Sequence, residues 1–317
     1  MIAAKNAQVL VTGGGGFIGS HLTKRLLREG YSVRVLDNFA TGNRANLAEC
    51  GSDVELIEGD LQSYERVHNA VRGCELVFHL GALPSVPRSI QDPLTSNATN
   101  VVGTLNVLLA ARDEGARRVV YASSSSVYGA SEELPKHEEM PTLPIAPYAV
   151  SNLAGEGNCR AFHRVYGLET VALRYFNVYG PQQDPQSQYA AVIPKFITAA
   201  LTGESPVIHG DGDQSRDFTY IDNAIDANLL AAQAEGAAGK VFNIAYGSRI
   251  SLNEIITEIS GLAGKPIHSV NTASRPGDVR HSLADISLAG KILGYAPAVS
   301  FDEGLRRTYE WFAERSA

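Results

Sequence analysis

Short apolar runs alternate with longer amphipathic stretches through the first half of the chain. Gln8 to Thr12 is a β-branched and aliphatic run, after which apolar positions recur at helical spacing as far as Arg28. Gly30 is placed to end that helix, and Ser32 to Leu36 predicts a second strand. A strand, a helix and a second strand are therefore expected in succession.

The same alternation continues up to Asn177. Further strands are predicted at Val54 to Ile57, Leu76 to His79 and Arg118 to Ala122, and helices near Tyr64 to Val71, Asp92 to Arg112 and Tyr148 to Val165. Because strands and helices alternate in this way, the fold class is predicted to be α/β. His79 ends a buried strand, where a single histidine is more often a hydrogen-bonded core residue than a catalytic one.

Beyond Asn177 the order of elements is less regular. The elements predicted there are helices at Pro194 to Leu201 and Asp222 to Ala234, a strand at Val241 to Ile244, and a helix to Leu262 that follows a capping box at Ser251 to Glu254. Neither a repeat nor a low-complexity linker separates the two parts. We expect one domain over 1–177 and a second over 178–317, with a soft boundary.

Composition and charge narrow the class of protein. The chain has 317 residues, 44% of them hydrophobic and 19% charged, with no apolar run long enough to span a bilayer and no signal-peptide pattern. A net charge of -7 without a basic cluster argues against nucleic acid as a partner. We expect a cytoplasmic protein with no membrane partner. Cys50, Cys74 and Cys159 lack metal-site spacing, which predicts reduced thiols and no metal site.

The first predicted turn carries candidate cofactor chemistry. Gly13, Gly16 and Gly19 lie between the first strand and the first helix, and Asp37 follows the second strand. Small residues let the backbone approach a pyrophosphate at a helix N-terminus, and an acid after the second strand can bind the adenosine ribose. This unit predicts a dinucleotide site that prefers NAD to NADP.

Six motifs in order resemble those of one enzyme family. They are Thr12 to Gly19, Asn100 to Thr104, Ser123 to Gly129, Tyr148 to Asn152, Arg174 to Asn177 and Arg275 to Asp278. Together they resemble the extended short-chain dehydrogenase/reductases, in particular the NAD-dependent epimerase/dehydratase family. The resemblance implies a Rossmann-like, doubly wound and mainly parallel sheet, with a smaller mixed α/β C-terminal domain that binds a nucleotide sugar. Chain segments return between the two parts in this family.

The resemblance also implies the residues of the NAD site. They are Gly13, Gly16, Phe17, Ile18, Gly19, Asp37, Asn38, Asp60, Leu61, Leu80, Ala82, Asn100, Tyr148 and Tyr175. Within this set, Asp60 and Leu61 are expected beside the adenine ring.

The predicted catalytic base is Tyr148, and Ser124 is expected to hydrogen-bond the reacting oxygen. A tyrosine that acts as a base near neutral pH starts from an ordinary pKa of about 10, so a nearby cation normally stabilises its phenolate. The family places a lysine four residues after the tyrosine, whereas this chain has Asn152. Because asparagine brings no charge, we expect both ligands to bind and turnover to be impaired.

The two residues immediately before Val127-Tyr128-Gly129 distinguish between reaction types in this family. Nucleotide-sugar dehydratases place Asp-Glu there and decarboxylating relatives keep a glutamate, whereas this chain has Ser125 and Ser126. Without a carboxylate, transfer of hydride from C4 of the sugar and back is the favoured reaction. The resemblance therefore implies C4 epimerisation through a 4-keto sugar.

The substrate implied by the resemblance is a UDP-hexose. The corresponding residues are Ser85, Arg88, Ser124, Asn177, Val192, Arg216, Arg275, Asp278 and Ser282. Arg216 and Arg275 are expected to pair with the diphosphate, because a guanidinium can bind phosphate oxygens bidentately. Ser282 stands where glucose-restricted epimerases have a tyrosine, which leaves room for an N-acetyl group and favours UDP-N-acetylglucosamine and UDP-N-acetylgalactosamine.

Several alternatives remain open at this point. A UDP-glucuronate 4-epimerase shares the serine-rich motif, and UDP-glucose is a second substrate candidate. A dehydratase or decarboxylase, or a nucleotide-sugar-binding protein without catalysis, is also retained. We favour a deliberate change at Asn152 that traps substrate over natural decay of the site. By analogy with the family, we expect a homodimer formed through the helices at Asp92 to Arg112 and Tyr148 to Val165.

Overall fold

A computed structural model describes residues 7–185, 191–273 and 279–316 of the protein. Its strands are β1 (Gln8–Thr12), β2 (Ser32–Asp37), β3 (Val54–Glu58), β4 (Leu76–His79), β5 (Arg118–Ser124), β6 (Glu169–Tyr175), β7 (Val178–Tyr179), β8 (Val207–His209), β9 (Ser215–Arg216), β10 (Thr219–Tyr220), β11 (Lys240–Ile244), β12 (Ile250–Ser251) and β13 (Val270–Thr272). Its helices are α1 (Phe17–Arg28), α2 (Tyr64–Val71), α3 (Val86–Gln91), α4 (Pro93–Asn97), α5 (Gly103–Asp113), α6 (Pro147–Tyr166), α7 (Val192–Thr202), α8 (Ile221–Gln233), α9 (Leu252–Ala263), α10 (Ser287–Leu293) and α11 (Phe301–Ser316).

A parallel sheet forms the centre of the molecule. Within the described residues it has seven strands in the order β11-β6-β5-β4-β1-β2-β3. The chain reverses its direction of winding between β1 and β4, which opens a crevice at the carboxyl ends of these strands. This topology confirms the predicted Rossmann-like, doubly wound α/β fold.

Alternating residues of β1 show how the sheet is buried on both faces. Val9 and Val11 pack into the same cluster as Leu22 of α1, whereas Leu10 packs into a second cluster with Leu108 of α5. All five side chains are fully buried. Because successive side chains of a strand point to opposite faces, a run that is apolar throughout indicates a strand covered on both sides.

The later part of the chain contributes to the same sheet. β11 pairs in parallel with β6, so residues 240–244 lie in the central sheet although they follow the predicted boundary at Asn177. The remaining short strands form two-stranded pairs, β10 with β7, β12 with β9 and β13 with β8. The division into domains 1–177 and 178–317 stays a prediction.

The helix predicted from Asp92 to Arg112 contains a π-helical segment between two α-helices. α4 begins after Asp92, whose side chain accepts the N–H of Thr95 at 3.0 Å, and a π-helical segment, Ala98–Val102, joins α4 to α5. Single π-helical turns within α-helices occur frequently at functional sites. Hydrophobic periodicity does not distinguish such a turn, which is why the sequence predicted one regular helix.

The predicted capping box and free thiols are confirmed. The Oγ of Ser251 accepts the N–H of Glu254 at 3.2 Å, and the carboxylate of Glu254 accepts the N–H of Ser251 at 2.7 Å, as a capping box requires. Cys50, Cys74 and Cys159 are free and buried. In the three described ranges, no helix is long and apolar enough to cross a membrane, and no group of metal-ligating side chains is found.

Candidate active site

The glycine turn after β1 has no space for side chains. Gly13 has a φ of +71°, and a Cβ on it would lie 2.7 Å from the Cα of Gly81. A Cβ on Gly19 would lie 2.1 Å from the carbonyl oxygen of Gly13. Gly16 caps α1 without a side-chain hydrogen bond, so the N–H groups of the first turn remain open to an anion.

Asp37 is fixed at the end of β2. Its Oδ2 accepts the N–H of Gly15 at 2.8 Å, and its Oδ1 accepts the N–H of Phe39 at 2.7 Å. A carboxylate has capacity for further hydrogen bonds, such as those of ribose hydroxyls. Asn38 donates to the carboxylate of Asp60 at 2.8 Å, so two further predicted residues lie together. The glycine turn and Asp37 therefore fit a dinucleotide of the NAD type.

Most of the remaining predicted cofactor residues lie at or shortly after the carboxyl ends of the central strands. Leu61 contacts Gly81 and Gly103, where Cβ atoms would meet its side chain at 2.9 and 2.8 Å. The hydroxyl of Tyr175 donates toward Asn228, 2.9 Å away. Phe17 and Ile18 begin α1, and Leu80 and Ala82 follow β4. Their roles toward NAD stay predictions.

The structure brings the predicted catalytic residues together. Tyr148 lies in the first turn of α6, and Ser124 is the last residue of β5. Burial raises the pKa of Tyr148 above its usual range, and hydrogen bonding with Asn152 and Ser124 lowers it in part. Both partners are uncharged, so neither supplies the electrostatic stabilisation that a phenolate base requires.

Asn152 turns its side chain back on its own helix. Its Nδ2 donates to the carbonyl oxygen of Tyr148 at 2.8 Å, and only 6% of the residue is exposed. The position next to the phenol is therefore filled by a neutral amide.

Ser125 and Ser126 begin a short 3-10 helix, Ser125–Tyr128, directly after β5. The N–H of Ser126 donates to the Oγ of Ser124 at 3.2 Å. The Oγ of Ser126 is buried and has no hydrogen-bond partner within the described part of the chain. A buried hydroxyl without a partner favours a hydrogen bond to a ligand at this point.

A buried ion pair, which was not predicted from the sequence, holds Ser123 at the start of the serine run 123–126. Glu156 accepts from Arg174 at 2.8 and 2.7 Å and from the hydroxyl of Ser123 at 2.6 Å. Glu156 and Arg174 are each only 1% exposed. Burial acts to lower the pKa of Arg174, but the paired carboxylate more than offsets this and holds that pKa above its usual range.

A cavity of about 590 Å³ lies beyond β6, toward the C-terminal part of the chain. Three predicted substrate residues line it, namely Asn177, Val192 and Arg216. Lys195, which was not among the predicted residues, lines it from the first turn of α7. This helix begins without a side-chain cap. Two cationic side chains and an uncapped helix N-terminus suit an anionic ligand.

Three other predicted substrate residues, Ser85, Arg88 and Ser282, lie outside the lining of this cavity as the described residues define it. Ser85 has a φ of 105°, and its Oγ accepts the N–H of Arg88 at 3.2 Å. The N–H of Ser282 donates to the carbonyl oxygen of Ser215 at 3.0 Å. Ser215 directly precedes Arg216 in the chain. The predictions for Arg275 and Asp278 lie outside the described residues.

Asp217 joins three separate segments behind the cavity. Its carboxylate, fully buried, accepts the N–H groups of Tyr246, Gly247 and Ala284 at 3.0 to 3.3 Å. The side chain of Asn177 donates to its backbone carbonyl at 2.9 Å. Burial raises the pKa of Asp217 to about 7. This role was not predicted, because the segments that Asp217 joins are far apart in the sequence.

Comparisons with known proteins agree with this geometry. A family model described as the NAD dependent epimerase/dehydratase family matches residues 9–245. A UDP-glucose 4-epimerase of Mycolicibacterium smegmatis is 38% identical over 313 residues, which are 98% of this chain and 99% of the relative.

Two solved structures are similar over nearly the whole chain. The UDP-N-acetylglucosamine 4-epimerase from Methanobrevibacter ruminantium M1, in complex with UDP-N-acetylmuramic acid, has a TM-score of 0.94 and 41% identity, covering 98% of this chain and 100% of that one. The UDP-glucose 4-epimerase of Thermus thermophilus, in complex with NAD, has a TM-score of 0.87 and 36% identity, covering 96% and 98%.

Proposed function

Because the chain belongs to the NAD-dependent epimerase/dehydratase family, we propose that it binds NAD and a UDP-hexose in a site for C4 epimerisation. The glycine turn and Asp37 fit the cofactor, and the cavity lined by Arg216 and Lys195 fits the diphosphate. The named relatives support both ligands, because one was solved with NAD and another with a UDP-sugar.

The proposed chemistry uses Ser124 at the end of β5 and Tyr148 in the first turn of α6. Tyr148 takes the proton of the sugar hydroxyl at C4, and Ser124 hydrogen-bonds the same oxygen. NAD held at the glycine turn and Asp37 would supply the reversible hydride acceptor that interconversion through a 4-keto sugar needs. Tyr148 then gives its proton back to the oxygen, so no net oxidation occurs.

The proposal that turnover is impaired rests on the absence of charge on the side chains that interact with the Tyr148 phenol. Its pKa is raised by burial, and its side-chain partners Ser124 and Asn152 bring no charge. A general base whose pKa lies far above the working pH is rarely deprotonated. The raised pKa therefore predicts slow turnover or none, whereas ligand binding depends on the glycine turn, Asp37 and the cavity. Ser125 and Ser126 supply no carboxylate, which favours epimerisation over dehydration.

For the sugar, we propose UDP-N-acetylglucosamine and UDP-N-acetylgalactosamine, with UDP-glucose and UDP-galactose as secondary substrates. Support comes from the small side chain at Ser282 and from the relative named for UDP-N-acetylglucosamine. The segment Ser85-Val86-Pro87-Arg88-Ser89 also resembles that of epimerases that prefer UDP-N-acetylglucosamine and UDP-N-acetylgalactosamine. Turnover of UDP-glucose or UDP-glucuronate by the Asn152→Lys chain without turnover of UDP-N-acetylglucosamine would contradict this preference.

Titration calorimetry tests the binding part directly. UDP-N-acetylglucosamine should bind with the NAD-loaded chain, and Arg216→Ala should weaken this binding about tenfold or more, since hydrogen bonds to charged groups contribute about 1.5–3 kcal/mol. Arg306→Ala, which changes an exposed arginine on α11, serves as the charge-matched control. Absence of UDP-sugar binding to the parent chain would contradict the proposal.

We also propose that two copies pair through α4, α5 and α6. Apolar side chains stand exposed in rows along these helices, with Leu94, Val102 and Leu105 on α4 and its continuation through α5 and Val150 and Val165 on α6. At 3.6 residues per turn, the three side chains of the first row fall within an arc of about 80° and the two of the second row within an arc of about 60°, which places each row on one helix face. An exposed apolar surface of this kind is typical of a protein interface.

Sedimentation tests the pairing. The chain should sediment as a dimer, and Leu105→Glu should shift it toward the monomer because a charge would be buried at the contact. Leu143→Glu, at an exposed apolar side chain off these helices, is the matched control. A parent chain that sediments as a monomer would exclude the proposed contact.

A further inference from the structure

The backbone of Tyr148 is held from outside its own helix. α6 begins at Pro147, which has no N–H, and Ala146 caps the helix without a side-chain bond. The N–H of Tyr148 is thus one of the donors that a helix N-terminus leaves without an intrahelical partner. Ser89 of α3 accepts that N–H at 3.0 Å and is fully buried.

Ser89 is itself anchored in a turn of unusual geometry. Its hydroxyl donates to the carbonyl oxygen of Val86 at 2.8 Å, so both functions of the hydroxyl are used. Ser85, which caps α3, has a φ of 105° and accepts the N–H of Arg88. A residue other than glycine keeps such a conformation only where its surroundings determine it, typically at a ligand site.

The carbonyl side of Tyr148 leads back to the same segment. The Oγ of Ser151 donates to the carbonyl oxygen of Tyr148 at 2.8 Å and accepts from Nδ2 of Asn100 at 3.2 Å. Asn100 accepts the N–H of Leu83 at 2.7 Å and donates to its carbonyl at 3.1 Å. Both peptide groups of Tyr148 are therefore tied to residues 83–89, one directly and one through two side chains.

We propose that Ser89 is a positioning residue that fixes Tyr148 relative to the sugar-contacting segment 83–89. The inference rests on the proposed function, in which Tyr148 is the base, and on the prediction that Ser85 and Arg88 bind the substrate. Segment 83–89 would thereby both bind the sugar and fix the position of Tyr148, which reacts with it. A displacement of about 1 Å in such a group can cost on the order of a hundredfold in rate.

Amide exchange of Tyr148 tests the contact in the chain as it stands, without need of catalysis. Because Ser89 is the partner of this N–H, Ser89→Ala should accelerate its exchange about tenfold. Ser260→Ala is the matched control, since that hydroxyl also donates within its helix, to Ile256, and accepts a distant N–H, that of Ile267. Equal exchange at Tyr148 in the parent and Ser89→Ala chains would overturn the proposal.

Ligand and folding controls complete this measurement. UDP-N-acetylglucosamine should slow Tyr148 exchange in the parent and not in Ser89→Ala, whereas UDP should slow it in neither. Ser89→Cys, of similar volume but a weak acceptor, should give an intermediate rate and replaces the alanine variant if that does not fold. A cysteine variant as protected as the parent would count against Ser89.

A kinetic measurement separates positioning from general stability. In the Asn152→Lys chain, Ser89→Ala should lower kcat about tenfold to a hundredfold and leave the Kd for UDP within about twofold. An unchanged kcat would refute the positioning role. If Asn152→Lys itself shows no turnover, the catalytic part of the proposed function fails, while Tyr148 exchange still decides the role of Ser89.

Discussion

A cation beside Tyr148 should restore turnover. Asn152 lies one helical turn after Tyr148 and hydrogen-bonds its backbone carbonyl, and its neutral amide only partly offsets the burial that raises the pKa of the phenol. An ammonium about 4 Å from a phenolate attracts it by about 4 kcal/mol at an effective dielectric constant of 20, which corresponds to roughly a thousandfold larger phenolate population. Burial of the ammonium at a position only 6% exposed opposes this gain. Asn152→Lys should therefore raise kcat by about tenfold to a thousandfold.

The assay is the interconversion of UDP-N-acetylglucosamine and UDP-N-acetylgalactosamine, followed by proton NMR across a range of pH. The limb on which the rate rises with pH should move to lower pH in Asn152→Lys, because the cation lowers the pKa of Tyr148. Asn152→Met is the matched control, since methionine has nearly the length of lysine and no charge. It should leave the rate unchanged.

Two results would refute the electrostatic reasoning. One is a lack of gain in an Asn152→Lys chain that still binds UDP and NAD. The other is an equal gain in Asn152→Met, which would show that shape and not charge limits the parent. Adding Tyr148→Phe to the lysine variant should abolish whatever turnover was gained, because the proton acceptor is then absent.

Three further changes probe the structure around the site. Gly19→Ala places a methyl group 2.1 Å from the carbonyl oxygen of Gly13, so NAD binding measured by calorimetry should be lost. Glu156→Gln leaves the buried charge of Arg174 unpaired and should lower the free energy of unfolding in urea by about 3–5 kcal/mol. Asp217→Asn should remove a pH dependence of stability. Because the pKa of Asp217 is raised from 3.8 to about 7, its stabilising contribution is complete below about pH 4 and is lost as the pH rises through 7. The parent should thus lose about 2–3 kcal/mol between about pH 5 and pH 8 from this group.

Controls and contrary results for these changes are specific. Gly261→Ala, in α9 with open space around the new methyl, should keep NAD binding. Glu303→Gln, in an exposed ion pair of α11, should leave the unfolding free energy nearly unchanged. Equal losses in Glu156→Gln and Glu303→Gln, or the same pH slope with and without Asp217, would show the respective argument to be wrong.

The sequence by itself determined the elements and the cofactor end of the molecule. The bounds predicted for β1, α2 and β4 match the structure, because apolar periodicity and turn residues are local signals. Gly13, Gly19 and Asp37 all lie within one βαβ unit, where the close packing of strand, turn and helix dictates residue type directly. The order of Ser124, Tyr148 and the position of Asn152 likewise follows from motif spacing.

Only the tertiary structure decided how distant segments meet. The sequence contains no sign that Ser89 caps a helix that starts 58 positions later, or that Asp217 gathers an N–H from Ala284. Periodicity shows which side of an element faces a core, but not which element lies opposite, and a hydrogen bond between distant residues depends on how the whole chain packs. The addition of β11 to the central sheet was decided in the same way, by packing against β6.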